Sequence, residues 1–130
     1  MAIKVSPDQG RELNLPGRQS TEMLSAHSGA ASVTFRRVEI SVPRAGDTPR
    51  EPHYHKDFEE CIYVQSGEGA VWIDGEEIPV DAGDSILVPP PRPHYTRNTG
   101  TTPLVLLCFF PVADIRPGTF DGHPDKPAPD

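Results

Sequence analysis

Short apolar segments separated by turn-forming residues constrain the fold of this chain more than any other feature. Between residues 33 and 111, runs rich in β-branched and aromatic side chains alternate with Gly, Pro, Asn and Asp. Asp74-Gly75 lies between two such runs and predicts a tight hairpin. Sixteen prolines and eleven glycines in 130 residues are typical of short strands joined by turns. The pattern predicts an all-β domain, either a sandwich or a barrel.

The two ends of the chain lack this regular pattern. Residues 1–30 are polar and mixed, and we expect an N-terminal arm whose segment 3–15 supplies a short edge strand. Residues 19–27 fit a strand or a short helix equally well. We expect the β-domain itself to span residues 31–115. Residues 116–130 are polar and rich in Pro, Gly and Asp, which predicts a flexible tail.

Charge excludes several classes of partner. The chain has 12 basic and 19 acidic residues, a formal charge of −7, which argues against nucleic acid and anionic membrane surfaces.

The N-terminal residues and the two cysteines bear on the compartment. Residues 1–10 lack the apolar core of a signal peptide, and no apolar run is long enough to span a membrane. Cys61 and Cys108 each lie in an apolar run without a CxxC spacing. We therefore expect two buried free thiols and a cytoplasmic protein.

Three histidines and a carboxylate indicate a metal site. His53 and His55 are separated by one residue, so on a strand they share a face while Tyr54 points to the other. His94 follows a proline-rich bend and begins a strand of its own. Imidazoles combined with one carboxylate suit a divalent transition metal, such as Fe, Mn, Ni, Zn or Cu. A metal site supplied by two separate strand pairs requires an enclosed interior, which a double-sheet jelly roll provides.

Two adjacent glutamates compete for the carboxylate position. If Glu59 faced inward, the aliphatic side chains of Ile62 and Val64 would face outward. If Glu60 faces inward, Ile62 and Val64 are buried with it, and we favour this alternative. Glu60 is an odd number of residues from His55, so the strand must break its alternation once between them.

A second polar feature lies in the strand predicted at residues 32–42. Arg36 and Arg37 occupy opposite faces of this strand, and neither face is cleanly polar. Either arginine could point into the interior and bind an anionic substrate. Glu59 is the remaining candidate for a substrate-binding or acid–base role near the metal.

The segment from Gly46 to Gly67 resembles the first sequence motif of the cupin superfamily. That motif consists of a glycine, a short loop, His-x-His, a carboxylate and a later glycine. His53, His55 and Glu60 stand in the corresponding positions, and the loop before His53 is one residue longer than usual.

The segment from Gly83 to Asn98 is similar to the second cupin motif. Gly83, Pro89, His94 and Asn98 match it, and Pro91 stands where the family has glycine. The turn before His94 must then be built differently, because proline cannot adopt a positive φ. The resemblance implies a double-stranded β-helix, or jelly-roll barrel, of the single-domain monocupin type. It implies four metal ligands: His53, His55, Glu60 and His94. Asn98 is expected to be structural.

Fold alone does not choose among the activities that cupins support. The ligand set and the arginines favour a metal-dependent enzyme that acts on an anionic or oxygen-rich small molecule, of the dioxygenase or the isomerase and lyase type. The alternative is a non-catalytic cupin module that binds a metal or a small molecule. Exposed edges of an open jelly roll also predict a homodimer, in which the N-terminal arm adds to the neighbouring sheet.

Overall fold

A computed structural model describes residues 1–125 as two antiparallel β-sheets that face each other across an apolar interior. The strands are β1 (Arg11–Leu13), β2 (Gln19–Leu24), β3 (Thr34–Ile40), β4 (His53–His55), β5 (Glu60–Ser66), β6 (Glu68–Ile73), β7 (Glu76–Asp81), β8 (Ser85–Val88), β9 (His94–Asn98), β10 (Leu104–Phe110) and β11 (Thr119–Asp121). Short 3₁₀ helices occupy Pro7–Gln9, Ala26–Ser28 and Arg116–Gly118. None of the helices within residues 1–125 has the length and hydropathy that crossing a membrane requires.

Strand order confirms the predicted jelly roll. The larger sheet has six strands in the order β1-β2-β3-β10-β5-β8, and the smaller has five in the order β11-β4-β9-β6-β7. From β3 to β6 the chain alternates between the sheets, so that β4 and β5 face each other although they are close in sequence. This crossing brings residues of the two predicted motif segments into one interior.

Glycines allow the smaller sheet to form. Asp74 (φ 47°) and Gly75 (φ 91°) make the tight turn of the β6–β7 hairpin, as the sequence predicts. Gly69 lies where β6 crosses its neighbours closely. A Cβ atom there would lie 2.5 Å from the Arg97 carbonyl oxygen and 2.6 Å from the side chain of Leu104. A larger residue at this position would force β6 away from β9.

The core lies between the two sheets and follows the alternation of the strands. In β5, Ile62 and Val64 are buried, whereas Cys61 and Tyr63 are exposed. The prediction that Cys61 is buried is therefore wrong, because its position on β5 faces outward, while Cys108 is buried as predicted. Each fully buried aliphatic side chain contributes roughly 1.5–3 kcal/mol to the stability of the fold.

Both ends of the described chain add strands to the sheets. β1 and β2 extend the larger sheet, so residues 19–24 are a strand, followed by a 3₁₀ turn. Ser20 and Glu22 are buried on β2, which explains why this strand lacks an apolar pattern. The sequence placed residues 116–130 outside the β-domain, whereas the structure pairs β11 with β4. Residues 126–130 of that predicted tail lie outside the described residues.

Candidate metal centre

Two neighbouring strands of the smaller sheet bring the histidines together. His53 on β4 lies directly opposite His94 on β9, and His55 shares the inner face of β4. Ring centroids are 4.4 Å apart for His53 and His94, and 5.2 Å apart for His55 and His94. The turn before His94 is closed by the Arg92 N–H, which donates to the Pro89 carbonyl at 3.1 Å. A proline-rich turn thus takes the place of the glycine turn.

Glu60 enters the same space from the opposite sheet, as the first residue of β5. The chain leaves the extended conformation after His55 and resumes it at Glu60, which resets the alternation. Glu60 is consequently buried and Glu59 exposed. Oε1 of Glu60 lies 3.0 Å from Nε2 of His55 and 3.0 Å from Nε2 of His94. The structure thus places Glu60, and not Glu59, beside the histidines.

The outer nitrogens of two rings each face an oxygen that accepts a hydrogen bond from them. His94 Nδ1 lies 2.9 Å from the Arg92 carbonyl oxygen, so Nδ1 carries the proton. The Thr119 hydroxyl donates its own proton to the Ile115 carbonyl at 2.6 Å, so it accepts one from His55 Nδ1 at 2.9 Å. Each ring in its neutral form therefore turns an unprotonated Nε2 toward the interior.

These tautomers fit a metal ion. Two Nε2 lone pairs then face the Glu60 carboxylate at 3.0 Å, and such acceptors repel each other unless a proton or a cation lies between them. One ligand atom from each of His53, His55, Glu60 and His94 lies within 4.8 Å of the others. Imidazole nitrogens with one carboxylate oxygen suit a divalent transition metal. Fixing the distal N–H of a histidine by a hydrogen bond is the usual support of a metal ligand.

Burial and neighbouring groups determine the charges of His53 and Glu60. Burial and the neighbouring His94 lower the pKa of His53 to about 3, so this ring is neutral and able to coordinate at neutral pH. Burial opposes ionisation of Glu60, whereas a proton on the Nε2 atom of His55 or His94, each 3.0 Å away, outweighs burial and lowers the Glu60 pKa below the usual range; a cation between these atoms acts in the same direction. The cluster therefore carries a carboxylate charge at neutral pH, which favours binding of a cation.

Apolar side chains wall one side of the cluster. Phe58 stacks on His55 with ring centroids 5.0 Å apart, and Phe110 meets the same ring edge-on at 5.2 Å. Cys108 is buried on β10, and burial together with the charge of Glu60 raises the pKa of its thiol well above the usual value. Cys108 is therefore a neutral wall residue and not an activated nucleophile.

The predicted substrate-binding residues separate into one that faces inward and two that do not. Arg36 lies on the inner face of β3, where it pairs with Glu22 at 3.2 Å and sits 5.8 Å above the Phe110 ring. Arg37 faces outward and pairs with Glu39 at 3.3 Å, and Glu59 is exposed. The structure therefore brings only Arg36 close to the interior.

Two further arginines, which sequence reasoning missed, lie near the histidines. The charge of Arg18 helps to lower the pKa of His53, and the charge of Glu60 acts on both Arg18 and Arg50. Arg18 follows the Pro16–Gly17 turn, and Arg50 precedes the His-x-His segment. The only sign of either arginine in the sequence is its position next to the turn or the His-x-His segment, and that position does not predict where the side chain points.

The side chain of Asn98 forms hydrogen bonds with backbone groups and does not belong to the histidine cluster. Its Nδ2 donates to the carbonyls of Ile40 (3.0 Å) and Thr102 (2.8 Å), and its Oδ1 accepts from the Gly100 N–H at 2.8 Å. These bonds join β9 to the end of β3 and to the turn that follows β9. They maintain the strand on which His94 stands.

Sequence comparison now identifies the family. The profile described as a cupin domain matches residues 38–110, more than half of the chain. The chain belongs to the cupin family. The match spans both segments that carry the four clustered residues.

Curated relatives of this cupin come from archaea and bacteria. It is 41% identical over 71 residues to the uncharacterized protein MJ1618 of Methanocaldococcus jannaschii, over 55% of each chain. It is 32% identical over 90 residues to the polyketide synthase CurC of Streptomyces cyaneus, over 69% of this chain and 56% of that protein. The matched region thus spans little more than half the length of these relatives.

Solved structures share the fold. The nucleoside dehydratase Pac13 superposes with a TM-score of 0.73 at 20% identity, over 95% of this chain and 92% of that chain. The polyketide cyclase RemF of Streptomyces resistomycificus superposes with a TM-score of 0.70 at 21% identity, over 85% of this chain and 80% of that chain. At these identities the likeness establishes the architecture.

Proposed function

We propose that this cupin is a metal-dependent enzyme that holds a divalent transition metal through four ligands: His53, His55, Glu60 and His94. The observation that supports this most is the pair of fixed tautomers, which direct two Nε2 lone pairs at a buried carboxylate. A metal of octahedral preference held by these four protein groups would keep two coordination positions for a substrate.

The proposed substrate is an oxygen-rich small molecule with an enolisable carbonyl group, and the proposed reaction is of the isomerase or lyase type. Relatives named for polyketide synthesis support this choice. Besides CurC, the tetracenomycin polyketide synthase protein TcmJ of Streptomyces glaucescens is 25% identical over 130 residues, 98% of this chain and 83% of that protein. Polyketides carry repeated carbonyls whose enolate oxygens bind divalent metals well.

The bound metal would polarise a carbonyl or enolate oxygen as a Lewis acid. Side chains of this protein form the environment of the metal site. Phe58 and Phe110 exclude water from the His55 side of the site. Arg36 adds positive charge on the inner face of β3, where it can attract an anionic oxygen. Cys108 keeps its proton and adds neutral, polarisable surface.

Oxidation of the substrate is the second candidate. The chain is 32% identical over 78 residues to the quercetin 2,3-dioxygenase of Bacillus subtilis, over 55% of this chain and 23% of that protein. The same ligands accept iron or copper, and an oxygenase would consume dioxygen. Oxygen-electrode measurements with metal-loaded protein and diketones, catechols or sugar acids separate the two reactions. Binding of these compounds without turnover or oxygen uptake would favour a non-catalytic module.

Metal content tests the proposal directly. The double variant H55A/H94A should lose nearly all bound metal in elemental analysis, because two of four ligands are gone. His27→Ala is the matched control, since His27 lies exposed in a 3₁₀ turn. Equal metal content in wild type and H55A/H94A, or no stoichiometric metal in the wild type, would contradict the proposal.

Two further properties are proposed on separate grounds. The first is a homodimer, supported by exposed apolar residues on the outer face of the larger sheet, among them Leu87 and Phe109. The second is a reducing compartment such as the cytoplasm, supported by the free thiols of Cys61 and Cys108.

A further inference from the structure

Arg18 and Arg50 stand out because they are half-buried cations without a carboxylate partner. Among residues 1–125, the other arginines either pair with a carboxylate or, like Arg44, lie exposed on a loop. Neither Arg18 nor Arg50 has such a pair in this part of the chain. A partly desolvated guanidinium without a counter-charge is costly, so it needs an explanation.

The backbone holds both side chains in place while leaving most of their donors free. Arg50 Nη1 donates to the Thr96 carbonyl at 3.1 Å, and Thr96 follows His94 by two residues on the inner face of β9. Arg18 Nη1 donates to the Pro16 carbonyl at 2.9 Å. Each guanidinium has five N–H groups, so one hydrogen bond leaves most of the N–H groups of each arginine free to bind another acceptor.

Packing also keeps Arg50 beside the turn that carries Arg18. Gly17 has φ 75°, and a Cβ atom there would lie 3.1 Å from Cδ of Arg50. The absence of a side chain at Gly17 therefore lets the stem of Arg50 pass close to the backbone next to Arg18. The two cations come near each other although they belong to separate loops.

The charge of Arg18 reaches groups on both sheets, including His53 of the histidine cluster. Its charge acts on Arg36 of β3, and it is acted on by Glu60 of β5 and Asp121 of β11. Burial, followed by the charge of Arg18, lowers the pKa of Arg50 to about 10, so Arg50 remains cationic at neutral pH. Two like charges are thus held together at the side of a site that contains one carboxylate.

Two buried polar atoms on β2 and β3 lack a hydrogen-bond partner within residues 1–125. Ser20 follows Arg18 by two residues on β2, is 1% exposed, and its Oγ has no hydrogen-bond partner among residues 1–125. Nε of Arg36 is also buried without a partner in this part of the chain. The third such atom, Nε of Arg11, lies on β1. Buried donors are normally satisfied, so Ser20, two residues from Arg18, and Arg36, whose charge acts on Arg18, leave donors free for an acceptor.

We infer that Arg18 and Arg50 bind an anionic oxygen group of the substrate, a carboxylate or a phosphate, while another oxygen of the same molecule reaches the histidine cluster. Only the contact between the substrate and the histidine cluster rests on the proposed function; the contact with the arginines does not. The arginine pair supplies bidentate donors to a planar or tetrahedral oxyanion, and Ser20 Oγ can supply one more. The substrate class is therefore an oxygenated organic acid or a phosphate ester.

Calorimetry on metal-free protein tests the anion site without the metal. Malonate and inorganic phosphate are the probes, and the variants are Arg18→Gln and Arg50→Gln, with Arg44→Gln as the exposed control from the same loop as Arg50. We expect each of the first two variants to weaken the tighter probe at least about tenfold, and the control to leave it unchanged. The probe with the higher affinity identifies the anionic group.

Thermal unfolding separates an anion site from a structural role. Relief of repulsion should leave Tm of Arg18→Gln and Arg50→Gln equal to or above that of wild type in the absence of anion. Should either variant fail to fold, Arg18→Lys or Arg50→Lys, which keeps charge and loses the fork, replaces it in calorimetry. The inference is overturned if wild type binds neither probe, or if all variants bind equally. Unchanged metal content in these variants distinguishes that failure from a failure of the metal centre.

Discussion

At the scale of single residues, Thr119 shows how a side chain outside the motifs determines the chemistry of a ligand. It lies on β11, directly opposite His55 on β4, and its hydroxyl accepts the Nδ1 proton of His55. Without that acceptor the ring is free to rotate or to change tautomer, and Nε2 no longer faces the cluster in its unprotonated form.

Thr119→Val should therefore weaken metal binding by about 10–100-fold while the fold is retained, since the size of the side chain is conserved. Titration of the metal-free protein with zinc against a competing chelator measures the loss. Thr119→Ser keeps the hydroxyl and should restore affinity, and the exposed Thr101→Val should have no effect. A Thr119→Val variant with wild-type affinity would show that His55 needs no such support.

Sequence reasoning succeeds at residues whose direction follows from strand alternation. Glu60 could be placed beside the histidines because burying Glu59 instead would have exposed Ile62 and Val64. Arg18 and Arg50 could not be found in this way, since a loop has no alternation and a long side chain can reach in several directions. Their positions follow from contacts of the folded chain, such as the Arg50 bond to the Thr96 carbonyl.

At the scale of elements, strands with apolar alternation were predictable and strands with buried ion pairs were not. β5 could be predicted from the sequence because Ile62 and Val64 alternate with exposed residues. β2 does not, because its inward positions include Ser20 and Glu22. β11 is too short to show a pattern, and it forms because its backbone can pair with β4.

Glu22 joins the first strands of the larger sheet. It receives hydrogen bonds from Arg11 of β1 at 2.6 Å, from Arg36 of β3 at 3.2 Å, and from Ser25 at 2.6 Å. It also lines a cleft of about 300 Å³ whose other charged or titratable groups are Arg11, His27, Asp114 and Arg116. Burial opposes its ionisation, but the hydrogen bonds from Ser25 and Arg11 and the charge of Arg36 outweigh it and lower its pKa.

Glu22→Gln should lower the free energy of unfolding by about 3 kcal/mol at neutral pH, because it leaves two arginines without their shared carboxylate. The folded-state pKa of Glu22 lies below 4.5, so its contribution is complete above that pH and is lost as pH falls through the folded value. The stabilities of wild type and variant should therefore converge in acid. Urea unfolding as a function of pH measures the difference, and a constant difference would contradict the assigned role.

At the scale of the whole molecule, the outer face of the larger sheet carries an apolar row. Phe35, Phe109, Cys61 and Leu87 lie opposite one another on β3, β10, β5 and β8. Phe35 and Phe109 stack at 4.7 Å, yet Phe109 remains 45% exposed and Leu87 55% exposed. A two-fold axis through this row would place it against the same row of a second copy, as closed dimers require.

The proposed homodimer should therefore depend on the outer face of the larger sheet. β1 pairs with β2 of its own chain, so the expectation that an N-terminal arm reaches a neighbour has less support than the apolar row. Leu87→Asp places a charge in that row without touching the core, and it should convert a dimer into a monomer in analytical ultracentrifugation at micromolar concentration. Val42→Asp is the matched control, because Val42 is 38% exposed but lies beyond the end of β3 and outside the row. A monomeric wild type would remove the dimer altogether, whereas a dimer that persists in Leu87→Asp would move the interface to another face.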